Sequence, residues 1–160
     1  KPFLKSGLIA FLIAFAAITI RQTSTWKNEF TLWDHTLKFY DNSSTVYYDR
    51  GVQYSLKGNF SNAIADYTRA LALKPDNLDA LFNRANAYEN RNELNAAFND
   101  YAVYLKINSK DGSVYYKRSY LFYKTGKLDE ALDDLQRAEE LGFRVDGKYK
   151  EHLLREKFSK

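Results

Sequence analysis

Residues 44–145 divide into three blocks of 34 residues, 44–77, 78–111 and 112–145, which align with one another without a gap. Position 4 of the blocks is Tyr47, Leu81 and Tyr115, and position 7 is Arg50, Arg84 and Arg118. Position 8 is small (Gly51, Ala85, Ser119) and position 11 aromatic (Tyr54, Tyr88, Phe122). Position 20 is always Ala (Ala63, Ala97, Ala131), and position 24 is large (Tyr67, Tyr101, Leu135). A period of this length means a stack of identical supersecondary units, because a single unit cannot bury its own apolar face.

Positions 4, 8 and 11 fall at helical spacing and line one face of a first helix, A. Small residues at 8 and 20 let A approach a second helix, B, with the large group of position 24 packed beside them. Lys57-Gly58-Asn59, Arg91-Asn92-Glu93 and Gly126-Lys127 suit a left-handed stop between A and B. Pro75 ends the first B helix, since it cannot continue one, whereas Ser109 and Phe143 stand at its place in the later blocks. With seven Gly and two Pro in 160 residues, a loop-rich β fold is disfavoured. Over 44–145 the chain resembles the tetratricopeptide repeat (TPR) family. That resemblance implies an all-α, right-handed superhelix of three helix–turn–helix repeats with capping helices.

The ends supply the caps. In 146–160 the residues Tyr149, Leu153, Leu154 and Phe158 form one apolar stripe of a terminal helix. In 22–43, Trp26, Phe30, Trp33 and Leu37 recur every three or four residues, in phase with a B helix. Ahead of them lies 1–21, whose residues 7–20 carry no charge. The wider run 3–20 spans ~27 Å as a helix, close to the ~30 Å of a hydrocarbon layer. A membrane helix, a signal peptide and a buried helix compete; the poor cleavage site at Ala17-Ile18-Thr19 favours the membrane helix. The expected architecture is therefore a hydrophobic membrane helix followed by the repeats.

Little in the chain points to catalysis. There is no Cys, so thiolate metal sites and cysteine nucleophiles are excluded. His35 and His152 stand far apart, no metal-spaced cluster or phosphate loop appears, and no cofactor or catalytic residue is expected. The acidic groups Asp129, Glu130, Asp133, Asp134, Glu139 and Glu140 alternate with apolar residues and read as a solvated face. Net charge beyond Arg21 is only +2 and mixed in sign, which argues against nucleic acid as a partner.

The TPR resemblance implies a partner protein or peptide bound in a concave groove lined by the A helices. Placed on the family pattern, the groove takes in Tyr48, Val52, Ser55, Phe82, Asn86, Glu89, Tyr116, Tyr120, Tyr123 and Lys124. The rings at position 5 (Tyr48, Phe82, Tyr116) either grip a peptide or sugar, or pack between A helices. Changing all three to Ala is expected to abolish capture without unfolding the array. Asn83 and Lys117 match two positions of the family's clamp for chaperone C-terminal carboxylates. Tyr48, Val52 and Ser113 stand where that clamp has Lys, Asn and Lys, so no chaperone-tail binding is expected.

A second resemblance lies at the junction Ile20-Arg21-Gln22-Thr23-Ser24-Thr25-Trp26, followed by Leu32-Trp33. It is similar to the join between the last membrane helix and the repeats of polytopic, O-mannosyltransferase-like glycosyltransferases. The implication is a non-catalytic tail that binds an acceptor or partner, with the repeats on the periplasmic, lumenal or extracellular side.

Overall fold

A computed structural model describes residues 29–159, with side chains from Trp33 onward. Among the described residues there are eight helices and no strand: α1 (Glu29–Leu37), α2 (Ser44–Leu56), α3 (Phe60–Leu73), α4 (Leu78–Asn90), α5 (Leu94–Ile107), α6 (Gly112–Lys124), α7 (Leu128–Glu140) and α8 (Gly147–Phe158). The A helices α2, α4 and α6 begin at Ser44, Leu78 and Gly112, one 34-residue period apart.

Local chemistry fixes the helix ends. Ser43, Asn59, Asn77, Asp111 and Asp146 each accept a backbone N–H of the first turn through the side chain. The A helices stop at position 15, where Gly58 has φ +72° and Asn92 φ +59°. Asn is among the few side chains that tolerate that region. The amide of Asn59 then donates to Tyr54 O (2.8 Å) and that of Gly58 to Ser55 O (2.9 Å). This double bond pattern recurs at Glu93 with Asn92, and at Lys127 with Gly126.

The core follows the repeat. Ala63, Ala97 and Ala131 are fully buried, and so are Tyr67, Tyr101 and Leu135 to within 1%. Gly51 is required by close approach: a Cβ there would lie 2.8 Å from Tyr67 Cε1. Helices pair within each block, α2 with α3, α4 with α5 and α6 with α7, and each B helix also meets the next A helix.

Three expectations change. In α8 only Tyr149 and Leu153 face the stack, because a helix of this length presents one narrow face. Leu154 is 38% and Phe158 78% exposed. Asp134 is not on a solvated face: it is 6% exposed and held by Arg118. The membrane location is also corrected. No helix among the described residues is long and apolar enough to cross a membrane, and the run 3–20 lies outside those residues.

Candidate functional site

The expected groove residues lie on α2, α4 and α6. Position 5 turns out to be shared between groove and core. The Tyr48 ring stands 6.0 Å from Tyr67, and Phe82 stands 5.9 Å from Tyr101 and 6.3 Å from Tyr104. Tyr116 packs on Phe143 at 5.2 Å and Tyr149 at 5.8 Å. All three are partly buried against the core clusters. The triple change to Ala would therefore remove packing as well as any grip, so it cannot serve as a clean binding test.

The polar groups between these rings are already engaged. Asn83 Nδ2 donates to Tyr48 Oη at 3.0 Å, tying α4 to α2. Tyr101 donates its hydroxyl to Asn86 Oδ1 at 2.9 Å, with Glu89 Oε2 at 3.4 Å. Lys117 Nζ lies 3.6 Å from that same Glu89 oxygen, linking α6 to α4. Burial pushes the Tyr101 phenol well above its ordinary range, and the nearby Glu89 carboxylate adds to the effect. Glu89 Oε1 is buried without a hydrogen-bond partner among the described residues. Val52 packs on the Ala63–Tyr67 cluster, and Ser55 is hydrogen-bonded to the Tyr67 phenol. The groove residues thus divide into a tied set on α2 and α4 and a more open set on α6.

The open set is aromatic. Tyr116, Tyr120 and Tyr123 all lie 5.8–6.0 Å from Tyr149, which enters from α8. Tyr120 is 41% exposed, and Lys124 Nζ sits 4.8 Å from its centroid, a cation–π distance. Tyr123 Oη and His152 Nε2 are 2.7 Å apart. Tyr149 and His152 were not among the expected groove residues. The signal was present, because Tyr149 repeats position 4 one period after Tyr115. His35, by contrast, is exposed beside Phe39 at 5.2 Å. Among the described residues no group of three or more His, Asp and Glu could hold a metal ion.

Sequence reasoning also passed over position 23, which is Asp in every block. Arg50 grips Asp66 with two bonds of 2.7 Å. Arg84 holds Asp100 at 2.8 and 2.7 Å, and Arg118 holds Asp134 at 2.7 Å twice. Each guanidinium also reaches back one repeat, to position 25. Arg50 Nη1 meets Asp34 at 2.6 Å and Arg84 Nη1 meets Thr68 Oγ1 at 3.1 Å. Ala102 occupies that place ahead of Arg118, which instead lies near the rings of Phe98, Tyr115 and Phe122.

Comparison with known proteins agrees with this geometry. Residues 46–91 match the family described as TPR repeat, and residues 112–141 the one described as tetratricopeptide repeat. The rat mitochondrial import receptor subunit TOM34 is 36% identical over 73 residues, covering 46% of this chain and 24% of the receptor subunit. The photosystem I assembly protein Ycf3 of Acaryochloris marina is 28% identical over 96 residues, 58% of each chain. The chain thus spans about a quarter of the first relative's length and just over half of the second's. Among solved structures, MamA superimposes with a TM-score of 0.69 at 18% identity, covering 76% of this chain and 71% of MamA. The first TPR of Spaghetti (RPAP3), bound to the HSP90 peptide SRMEEVD, gives 0.63 at 26%, covering 70% and 88%. These relatives lend no support to a glycosyltransferase tail, nor to repeats on the periplasmic, lumenal or extracellular side; both readings are set aside. The exclusion of chaperone tails is not confirmed either, since two of the matching folds hold such a peptide.

Proposed function

Because residues 46–91 and 112–141 form tetratricopeptide repeats, we propose that the chain is a protein-interaction module rather than an enzyme, and that it holds a peptide segment of its partner on the face shared by α2, α4 and α6. The observation that carries this reading is the α6 cluster. Tyr120 remains 41% exposed within a scaffold of four packed tyrosines, with Lys124 over its face. A rigid, amphipathic ring held by its neighbours offers contact area at little entropic cost, as binding hot spots do. Tyr48, Phe82 and Tyr116 shape the floor, and Asn83, Asn86, Glu89 and Lys117 supply a polar frame fixed in advance.

The test uses the 160-residue chain and peptides selected against it from a displayed random library. Tyr120→Ala combined with Lys124→Glu alters only exposed groups and should weaken the selected peptides by about tenfold or more, ~1.4 kcal/mol. The same variant should keep its helical circular dichroism. Unchanged affinity would place the binding face elsewhere. The peptide SRMEEVD should bind more weakly than the selected peptides, because Tyr48, Val52 and Ser113 supply neither the cations nor the amide of a carboxylate clamp.

A further inference from the structure

The three clefts along the turn edge of the stack are built from equivalent positions but are not finished alike. In the first, between α3 and α4, Arg91 Nη1 reaches across to Ser61 Oγ at 3.0 Å while its Nε holds Glu93 at 2.8 Å. In the third, between α7 and α8, Lys157 Nζ spans to Asp129 at 2.6 Å. The middle cleft, between α5 and α6, has Thr125 where Arg91 stands and Lys127 where Glu93 stands. Threonine is too short to cross, and its hydroxyl is spent on the carbonyls of Leu121 and Phe122 at 3.0 Å. A cavity of about 120 Å³ therefore stays open between Leu94, Phe98, Leu121 and Phe122.

We propose that this middle cleft is a second docking site, separate from the α6 tyrosine face, which takes one large apolar side chain from an acidic segment of a partner. Size sets the first half of that assignment, since a cavity of ~150 Å³ lined by apolar side chains holds one benzene ring. Charge sets the second half. Lys127 Nζ stands at the rim, 5.9 Å from the Phe122 centroid, and makes no ion pair among the described residues. Its counterpart Glu93 is neutralised by Arg91. An apolar anchor followed by a carboxylate would fill the cavity and complete the missing pair.

The probe is N-acetyl-Phe-Glu-amide, titrated into the isotope-labelled 160-residue chain and followed by amide shifts in NMR. Saturable shifts at Leu94, Phe98, Phe122 and Thr125 are expected, with a dissociation constant in the millimolar range. N-acetyl-Ala-Glu-amide should leave these signals in place, and N-acetyl-Phe-Gln-amide should bind several-fold more weakly. Thr125→Arg with Lys127→Glu rebuilds the closure of the first cleft from residues the preceding repeat already uses at these positions, so the fold should persist. The double variant should lose the shifts altogether. No saturable shift at these amides, or equal binding by the double variant, would overturn the proposal. Shifts confined to Tyr120 and Tyr123 would overturn it while leaving the α6 face intact.

Discussion

Arg50, Arg84 and Arg118 are each less than one-fifth exposed, and each depends on a carboxylate that is more deeply buried still. A guanidinium taken out of water loses its hydration, and two aligned hydrogen bonds to Asp restore what solvent gave. For Arg50 the hydrogen bond from Asp66 is the main reason its proton is held even more tightly than usual. Removing one partner strands the other. Asp100→Ala should cost ~3–5 kcal/mol in urea denaturation, whereas Arg84→Met with Asp100→Leu should recover most of that loss. If the single change costs as little as a surface pair, the clamp contributes nothing to stability. Position 7 stood out in the sequence as an invariant Arg, but its meaning did not. An arginine at helical spacing looks the same in a list whether it is solvated or clamped. The invariant Asp sixteen residues on becomes informative only once A and B are folded together.

At the level of the helices, the stops and the small positions were the most legible features. Gly58, Asn92 and Gly126 mark the turns because few residues accept positive φ, and Ala at position 20 marks the close approach of A to B. Ala97 has no exposed surface and lies among Leu81, Ala85 and Tyr101. Ala97→Leu should overpack that contact by ~1–3 kcal/mol, read as a lowered Tm. An unchanged Tm would mean that α4 and α5 separate freely. The apolar stripe of α8 was less legible. Four hydrophobic residues at helical spacing cannot reveal that the stack offers α8 a single surface, so Phe158 remained in solvent while Tyr149 and Leu153 went in. The rings at position 5 were ambiguous for a related reason: an aromatic group on the inner edge of an A helix serves both the core and the groove.

Across the whole stack, the fastening between repeats changes from one end to the other. Position 25 offers a carboxylate at Asp34, a hydroxyl at Thr68 and a methyl group at Ala102, so the backward reach of the arginine is ionic, then neutral, then absent. Ala102→Asp should supply the missing partner to Arg118 and raise stability by ~0.2–1 kcal/mol, the range of a partly exposed pair. A variant no more stable than the parent would show that Arg118 is fully satisfied by Asp134 and its three rings. In a linear array, stability is close to a sum of unit terms and nearest-neighbour terms, so this one seam carries weight far beyond its size.

The open cleft and the missing arginine contact lie at the same junction, between α5 and α6. A helical spring with one slack coil bends there first. The pitch of the superhelix is then set at that coil, and so is the distance from the α4 polar frame to the tyrosines of α6. A wedge entering the outer cleft would change that distance without touching the inner face. The two surfaces would behave as opposite jaws of one lever, with the α5–α6 seam as its fulcrum.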